Sequence, residues 1–291
     1  MIHNIQIENK EPVILLGTGL VYKQMPFWCK GSFRPLTISL LRERCHFTYD
    51  PPAKKQPVIV FLCGGSWSTM DPTVWMPELI YYAKRGYAVA GVQYSVSGQE
   101  AFPAQIVEIR QAIRYLRAHA DELRLDADRI AIMGESAGGH LAAITALTAD
   151  YPAFDNGEYA EYSSAVKCAV IYYGPNAMKD RTAVVSSSAN ELNPVEKLLR
   201  VKDLQADPAL TESVDCRNYV TKDAPPFLLL HGTADALVPV SQSDAFYETL
   251  TEAGVPADYL RIEGAQHASA EFFQEEIKAR ILEFVEKAMA E

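Results

Sequence analysis

Ser136 lies in Gly134-Glu135-Ser136-Ala137-Gly138, a G-x-S-x-G pattern. Residues 129–133 (RIAIM) before it read as an apolar strand, and Ala137–Leu147 after it as an Ala- and Leu-rich helix. A strand-to-helix turn this tight admits only small flanking residues. It lifts a serine Oγ clear of the sheet and aims the following N–H groups at a developing oxyanion. Gly139 leaves room for the helix to approach the strand closely. The chemistry implied is nucleophilic acyl transfer, with Ser136 as the nucleophile.

A serine hydroxyl needs a base, and six histidines are available. His3 and His46 lie before the core sheet begins. His119 is on the polar side of a helix. His140 is one turn into the helix after Ser136, too near in sequence to swing back. His231 ends an apolar strand and is followed by Gly232, where it shapes a loop. His267 remains, in the loop Glu263-Gly264-Ala265-Gln266-His267 after the last expected strand. The base in turn needs a carboxylate to fix its tautomer. Asp235 follows the strand FLLLH directly, at the edge of the sheet where ligands bind in open α/β folds. Asp223 precedes that strand and Asp244 belongs to the next helix, so Asp235 is the acid.

Oxyanion donors are expected from the loop after an earlier strand. Cys63-Gly64-Gly65-Ser66-Trp67 meets that need, because two glycines let backbone N–H groups approach a tetrahedral centre. Gly65, Ser66 and Ala137 are the expected donors. Among the aromatics Trp67, Trp75, Tyr94, Tyr172 and Tyr173, Trp67 is the candidate to touch substrate.

The elements that must hold these groups alternate β and α, the rhythm of a parallel sheet covered on both faces. Strands are expected at 56–63, 87–94, 129–133, 166–173, 227–231 and Ala257–Ile262. Helices are expected at 76–85, from Pro103 with Ile106, Ile109, Ile113 and Leu116 on one buried face, at Ala137–Leu147, and at 270–288. Two stretches break the rhythm. One is 150–165, polar and aromatic. The other is 176–222, long enough to form a cap over the site. One α/β domain spanning 1–291, with that insertion inside it, is the expected organisation.

Composition narrows the setting. The net charge is −10 and no Lys/Arg cluster stands out, which argues against nucleic acid or an anionic membrane as partner. No apolar run approaches the roughly 18 residues of a membrane span. Five scattered cysteines with no C-x-x-C pair suit a reducing compartment, and no signal-peptide pattern opens the chain. A cytoplasmic protein is expected, with a homodimer as the default state.

The stretches GGSW, GYAVAGVQYSVSG, FPAQIVEIRQAIRYLRAHA, DADRIAIMGESAGGHLAA, HGTADALVP and GAQH occur in that order over about 58–267. Together they resemble the hormone-sensitive-lipase-like and feruloyl/acetyl-xylan-esterase-like branch of the α/β-hydrolases. The resemblance implies a mostly parallel eight-stranded sheet, no cofactor and no metal. It also implies cleavage of carboxylic esters, often short acyl groups on sugars or small alcohols, so a small-molecule or oligosaccharide ester is the expected partner. The family usually has His-Gly-Gly-x-Trp, and its histidine braces the oxyanion loop. Here Cys63 takes that place, a small apolar-like side chain with no assigned catalytic role. An arylformamidase-like amidohydrolase shares the GGxW and elbow motifs. A binding protein on an inactive hydrolase scaffold would usually lack one of the three catalytic groups.

Overall fold

The computed structural model describes residues 1–27, 31–45, 54–155, 157–180, 193–202, 204 and 208–290. Eight strands form one sheet in the order β1-β2-β4-β3-β5-β6-β7-β8. They are β1 (Ile14–Pro26), β2 (Phe33–Glu43), β3 (Gln56–Leu62), β4 (Ala88–Val92), β5 (Leu125–Glu135), β6 (Ala169–Tyr172), β7 (Phe227–Gly232) and β8 (Ala257–Ile262). From β4 to β8 all pairings are parallel, whereas β2 is antiparallel to β1 and β4.

The central strands are buried on both sides. Val58, Ile59 and Val60 of β3 and Ile130 to Met133 of β5 have no exposed surface. A parallel strand covered by helices on both faces reads as such an unbroken apolar run rather than an alternating one. Each fully buried aliphatic side chain contributes about 1.5–3 kcal/mol.

The helices are α1 (Met76–Ala83), α2 (Ala104–Ala118), α3 (Ala120–Leu123), α4 (Ala137–Leu147), α5 (Pro194–Leu199), α6 (Pro208–Glu212), α7 (Ser241–Glu252) and α8 (Glu275–Ala290). On α2, Ile106, Ile109, Ile113 and Leu116 are all buried in one layer of the core. The expected helix over 270–288 is a 3-10 turn at Ala270–Phe273 followed by α8. Ile281 and Val285 of α8 pack in the other layer.

One expectation is corrected. The sheet begins at Ile14, not at residue 56, because β1 and β2 extend it by an antiparallel pair. His3 does precede the sheet, while His46 lies outside the described residues. The stretch 150–165, which breaks the β–α rhythm, lies away from Ser136. Its described residues sit beyond the C-terminal end of α4, a helix of 11 residues that begins directly after Ser136. That helix spans about 16 Å. Arg110 donates to the carbonyls of Ala149 and Tyr151 at 2.7 and 2.8 Å, and Arg114 clamps Asp155.

Of the stretch 176–222, residues 181–192, 203 and 205–207 lie outside the described residues. The rest packs on the body of the domain. Phe102 N donates to Leu198 O at 3.0 Å, Cys216 N to Asn176 O at 3.1 Å, and Ala177 N to Gln242 Oε1 at 2.9 Å. Among the described residues of 176–222, none lines the cleft beside Ser136.

Candidate active site

The site is assembled at the C-terminal edge of β3, β5, β7 and β8. Strand β5 ends at Glu135, and Ser136 turns the chain into α4 with φ 54° and ψ −122°. That conformation is costly for a residue with a Cβ, and it survives only where the surroundings hold it. Ser136 N is tied to Tyr172 O at 3.0 Å. At Gly138 any Cβ would fall 2.1 Å from Leu62 O, so the helix can enter against β3 only with glycine there.

Three groups distant in sequence meet at this turn. The Ser136 hydroxyl donates to His267 Nε2 at 3.0 Å, and His267 Nδ1–H donates to Asp235 Oδ2 at 2.7 Å. The backbone N–H groups of Leu237 and Val238 donate to Asp235 Oδ1 at 2.9 and 2.8 Å. Burial alone would raise the Asp235 carboxyl. Hydrogen bonds from His231, His267 and the Val238 N–H more than offset it and hold the group well below the usual carboxylate range. Asp235 therefore stays ionised, as a partner for an imidazolium must. The loops after β7 and β8 are knit together, with Ala234 N on Ala265 O at 3.0 Å and Thr233 N on Ile262 O at 3.0 Å. This fixes the acid relative to the base. The Tyr173 ring sits 4.6 Å from the His267 ring and limits its rotation.

The loop after β3 closes the other side. Gly65, Ser66 and Trp67 have φ values of 123°, 52° and 55°. Among the described residues no protein acceptor takes the N–H of Gly65, Ser66 or Ala137. Ala137 is the first residue of α4, where N–H groups have no partner inside the helix. Gly65 and Ser66 face a cleft of about 480 Å³ shared with Ser136 and His267. Met70, Val74, Trp75 and Leu237 give it a largely apolar wall. The arrangement can deprotonate an alcohol and accept negative charge nearby on unspent N–H donors.

Trp67 does not reach this cleft, contrary to expectation. It is 1% exposed, with its ring edge-on to His140 at 5.3 Å between centroids. Its left-handed backbone turns the side chain into the core. Trp75 is the tryptophan in the cleft wall, stacked on Phe273 at 4.4 Å. Tyr94, Tyr172 and Tyr173 are buried.

Burial pushes the Cys63 thiol up to about 12, so it stays protonated and weakly nucleophilic. His140 donates to Val214 O at 2.7 Å, and burial lowers it to about 4, leaving a neutral structural imidazole. Glu135, a variable position of the G-x-S-x-G pattern, carried no distinguishing sequence signal of its own. Glu135 accepts the Gly64 N–H and, at 3.1 Å, the Trp75 indole N–H. His231 faces Asp235 Oδ2 at 3.3 Å. Among the described residues no group of three or more His, Cys, Asp or Glu side chains is placed to hold a metal ion. No helix there is long and apolar enough to cross a membrane.

The sheet order and the loop positions of Ser136, Asp235 and His267 define the α/β-hydrolase fold. Residues 48–250 match the BD-FAE family model, and the chain belongs to that family. Esterase LipC of Mycobacterium tuberculosis is 31% identical over 221 residues, covering 75% of this chain and 54% of its own length. Acetyl esterase of Salmonella schwarzengrund is 26% identical over 230 residues, covering 76% and 67%. The chain spans about half the length of the first of the curated relatives it matches. Among solved structures, a thermophilic esterase of Thermogutta terrifontis superposes with a TM-score of 0.69 at 26% identity, over 93% of this chain and 90% of that one. A carbohydrate esterase from gut microbiota shares the fold with a TM-score of 0.76 at 24% identity, over 95% and 97%.

Proposed function

We propose that the protein is a serine carboxylic-ester hydrolase acting through an acyl-enzyme, on short acyl esters of carbohydrates or small alcohols. The observation that carries this reading is the continuous chain Ser136 Oγ–His267 Nε2 at 3.0 Å and His267 Nδ1–Asp235 Oδ2 at 2.7 Å. Ser136 Oγ attacks the ester carbonyl carbon while its proton passes to His267 Nε2. The imidazolium is stabilised by Asp235. The oxyanion takes the N–H groups of Gly65, Ser66 and Ala137, each worth about 3 kcal/mol of barrier. Collapse expels the alkoxide, which leaves as the alcohol with the proton held by His267. Water then gives a proton to the same nitrogen and attacks the acyl-enzyme. Release of the acid returns Ser136 to its hydroxyl form.

Short acyl groups are supported by the relatives. One is named an acetyl esterase, and the Thermogutta terrifontis esterase has been solved with propionate bound. An open, apolar-walled cleft suits varied alcohols better than a deep acyl tunnel would. The test is a rate series over p-nitrophenyl esters from acetate to decanoate, beside acetylated xylooligosaccharides and N-formylkynurenine. Highest kcat/KM on acetate or propionate, with turnover of the acetylated sugars, is the expected result. A maximum at decanoate, or preference for N-formylkynurenine, would refute the assignment.

A further inference from the structure

Cys63 stands where the related sequences carry a bracing histidine, and one peptide unit of the loop that carries Gly65 and Ser66 is held at both ends. The carbonyl of Cys63 accepts the Tyr94 hydroxyl at 2.6 Å, inside the core. The N–H of Gly64, the other end of the same peptide plane, donates to Glu135 Oε1. We propose that Tyr94 and Glu135 are positioning residues that clamp the Cys63–Gly64 peptide and thereby aim the oxyanion donors of Gly65 and Ser66 at the carbonyl attacked by Ser136.

The residues around the clamp are arranged for it. Tyr94 is 1% exposed, and the Cys63 carbonyl is its hydroxyl's acceptor. Glu135 is 7% exposed and immediately precedes the nucleophile, so its position is tied to the Ser136 turn. Burial raises the Glu135 carboxyl, while the Gly64 and Trp75 donors draw it back toward ionisation. The Tyr173 hydroxyl lies near enough to influence Glu135 but makes no hydrogen bond of normal length. Contact is also close at Gly64, where a Cβ would lie 2.7 Å from Glu135 Oε1 and 2.8 Å from the Ser136 Cβ. The loop can therefore lie flat on the elbow and receive the carboxylate directly. A rotation of this one peptide would swing the next two N–H groups away from Ser136. The residue linking the clamp to the cleft is Trp75, held through the same Oε1 at 3.1 Å.

The inference rests on the serine-esterase reading, and its test separates the two. Turnover of p-nitrophenyl acetate is measured for wild type, Tyr94→Phe, Glu135→Ala, Glu135→Gln and Ser136→Ala. Oxyanion alignment acts on the transition state and not on ground-state binding. Glu135→Ala is expected to lower kcat by about 30-fold or more and Tyr94→Phe by about 5-fold, each with KM within about 2-fold. Glutamine still presents an acceptor oxygen, so Glu135→Gln stays within about 3-fold of wild type. The clamp is overturned if both Tyr94→Phe and Glu135→Ala keep full kcat, or if the losses fall on KM. It is also overturned if Glu135→Gln is as slow as Glu135→Ala, which would assign the effect to negative charge. Should Glu135→Ala fail to fold, Tyr94→Phe decides alone: reduced kcat supports the clamp and unchanged kcat overturns it. An inactive Ser136→Ala beside fully active clamp variants overturns the clamp only. An active Ser136→Ala overturns the serine reading and the clamp together.

Discussion

His231 Nε2 lies 3.3 Å from Asp235 Oδ2, the same oxygen that His267 Nδ1 holds at 2.7 Å. Two imidazoles thus converge on one carboxylate oxygen, one hydrogen-bonded to Ser136 and the other buried. His231 Nε2–H also donates to Val238 O at 2.9 Å, and its Nδ1 accepts the Ser243 hydroxyl at 2.7 Å. Its bonds join the strand end, the loop after it and α7. Replacing His231 with Ala removes three buried contacts and is expected to cost about 2 kcal/mol of stability or more. Asp235 keeps its bonds from Leu237 and Val238, so kcat should fall only about 10-fold, against at least about 10³-fold for His267→Ala. Denaturant melts and pNP-acetate kinetics on both variants check this ordering. Equal losses of kcat would contradict it.

Gly138 is expected to tolerate no side chain. An alanine Cβ would meet the Leu62 carbonyl oxygen at 2.1 Å and the Cys63 carbonyl oxygen at 2.6 Å, and both are backbone atoms that cannot rotate away. Gly138→Ala should therefore lose about 3 kcal/mol or fail to accumulate as soluble protein. Gly98→Ala, at a site with nothing within 4 Å of the new Cβ, serves as the control. Thermal melts that show Gly138→Ala as stable as that control would contradict the packing described.

Asp155 links 150–165 to α2 through Arg114, with Nη1 and Nη2 at 2.8 and 2.7 Å. Hydrogen bonds from Arg114 and from the Gly157 N–H hold its carboxyl well below the ordinary range. A depressed folded-state pKa contributes stability that is fully present above the unfolded value of about 4 and is lost as pH falls toward the folded one. Asp155→Asn should accordingly have a lower Tm than wild type at pH 7, with the gap narrowing below about pH 4. A gap that stays constant from pH 7 to pH 3 would show that the ion pair does not carry it.

The parallel core was legible because its strands announce themselves as continuous apolar runs. QPVIVFL and FLLLHG each begin at the residue expected from hydrophobicity alone. Strand β1 was not legible. Its sequence ILLGTGLVYKQMP carries two glycines and two register shifts against β2, and most of its side chains are exposed, so no periodicity marks it. Ser136, Asp235 and His267 stand out in the sequence because each sits in a loop right after a readable strand, and the structure brings the three into one hydrogen-bonded chain. His231 shapes the loop after its strand as expected, through Val238 and Ser243, whereas the Tyr94 pairing spans 31 residues of chain and leaves no local signal. Trp67 is expected in the cleft as one of several aromatics, whereas its backbone has a positive φ and its side chain is buried in the core.

In the proposed reaction the Ser136 hydroxyl is the group that attacks the ester. A fluorophosphonate reports it directly, through the mass of the intact protein and the identity of the modified peptide. One adduct is expected, on Ser136, formed in wild type and absent in Ser136→Ala, with acetate-ester turnover in that variant reduced at least about 10³-fold. An adduct on any other residue, or a Ser136→Ala enzyme that hydrolyses the ester at the wild-type rate, would contradict it.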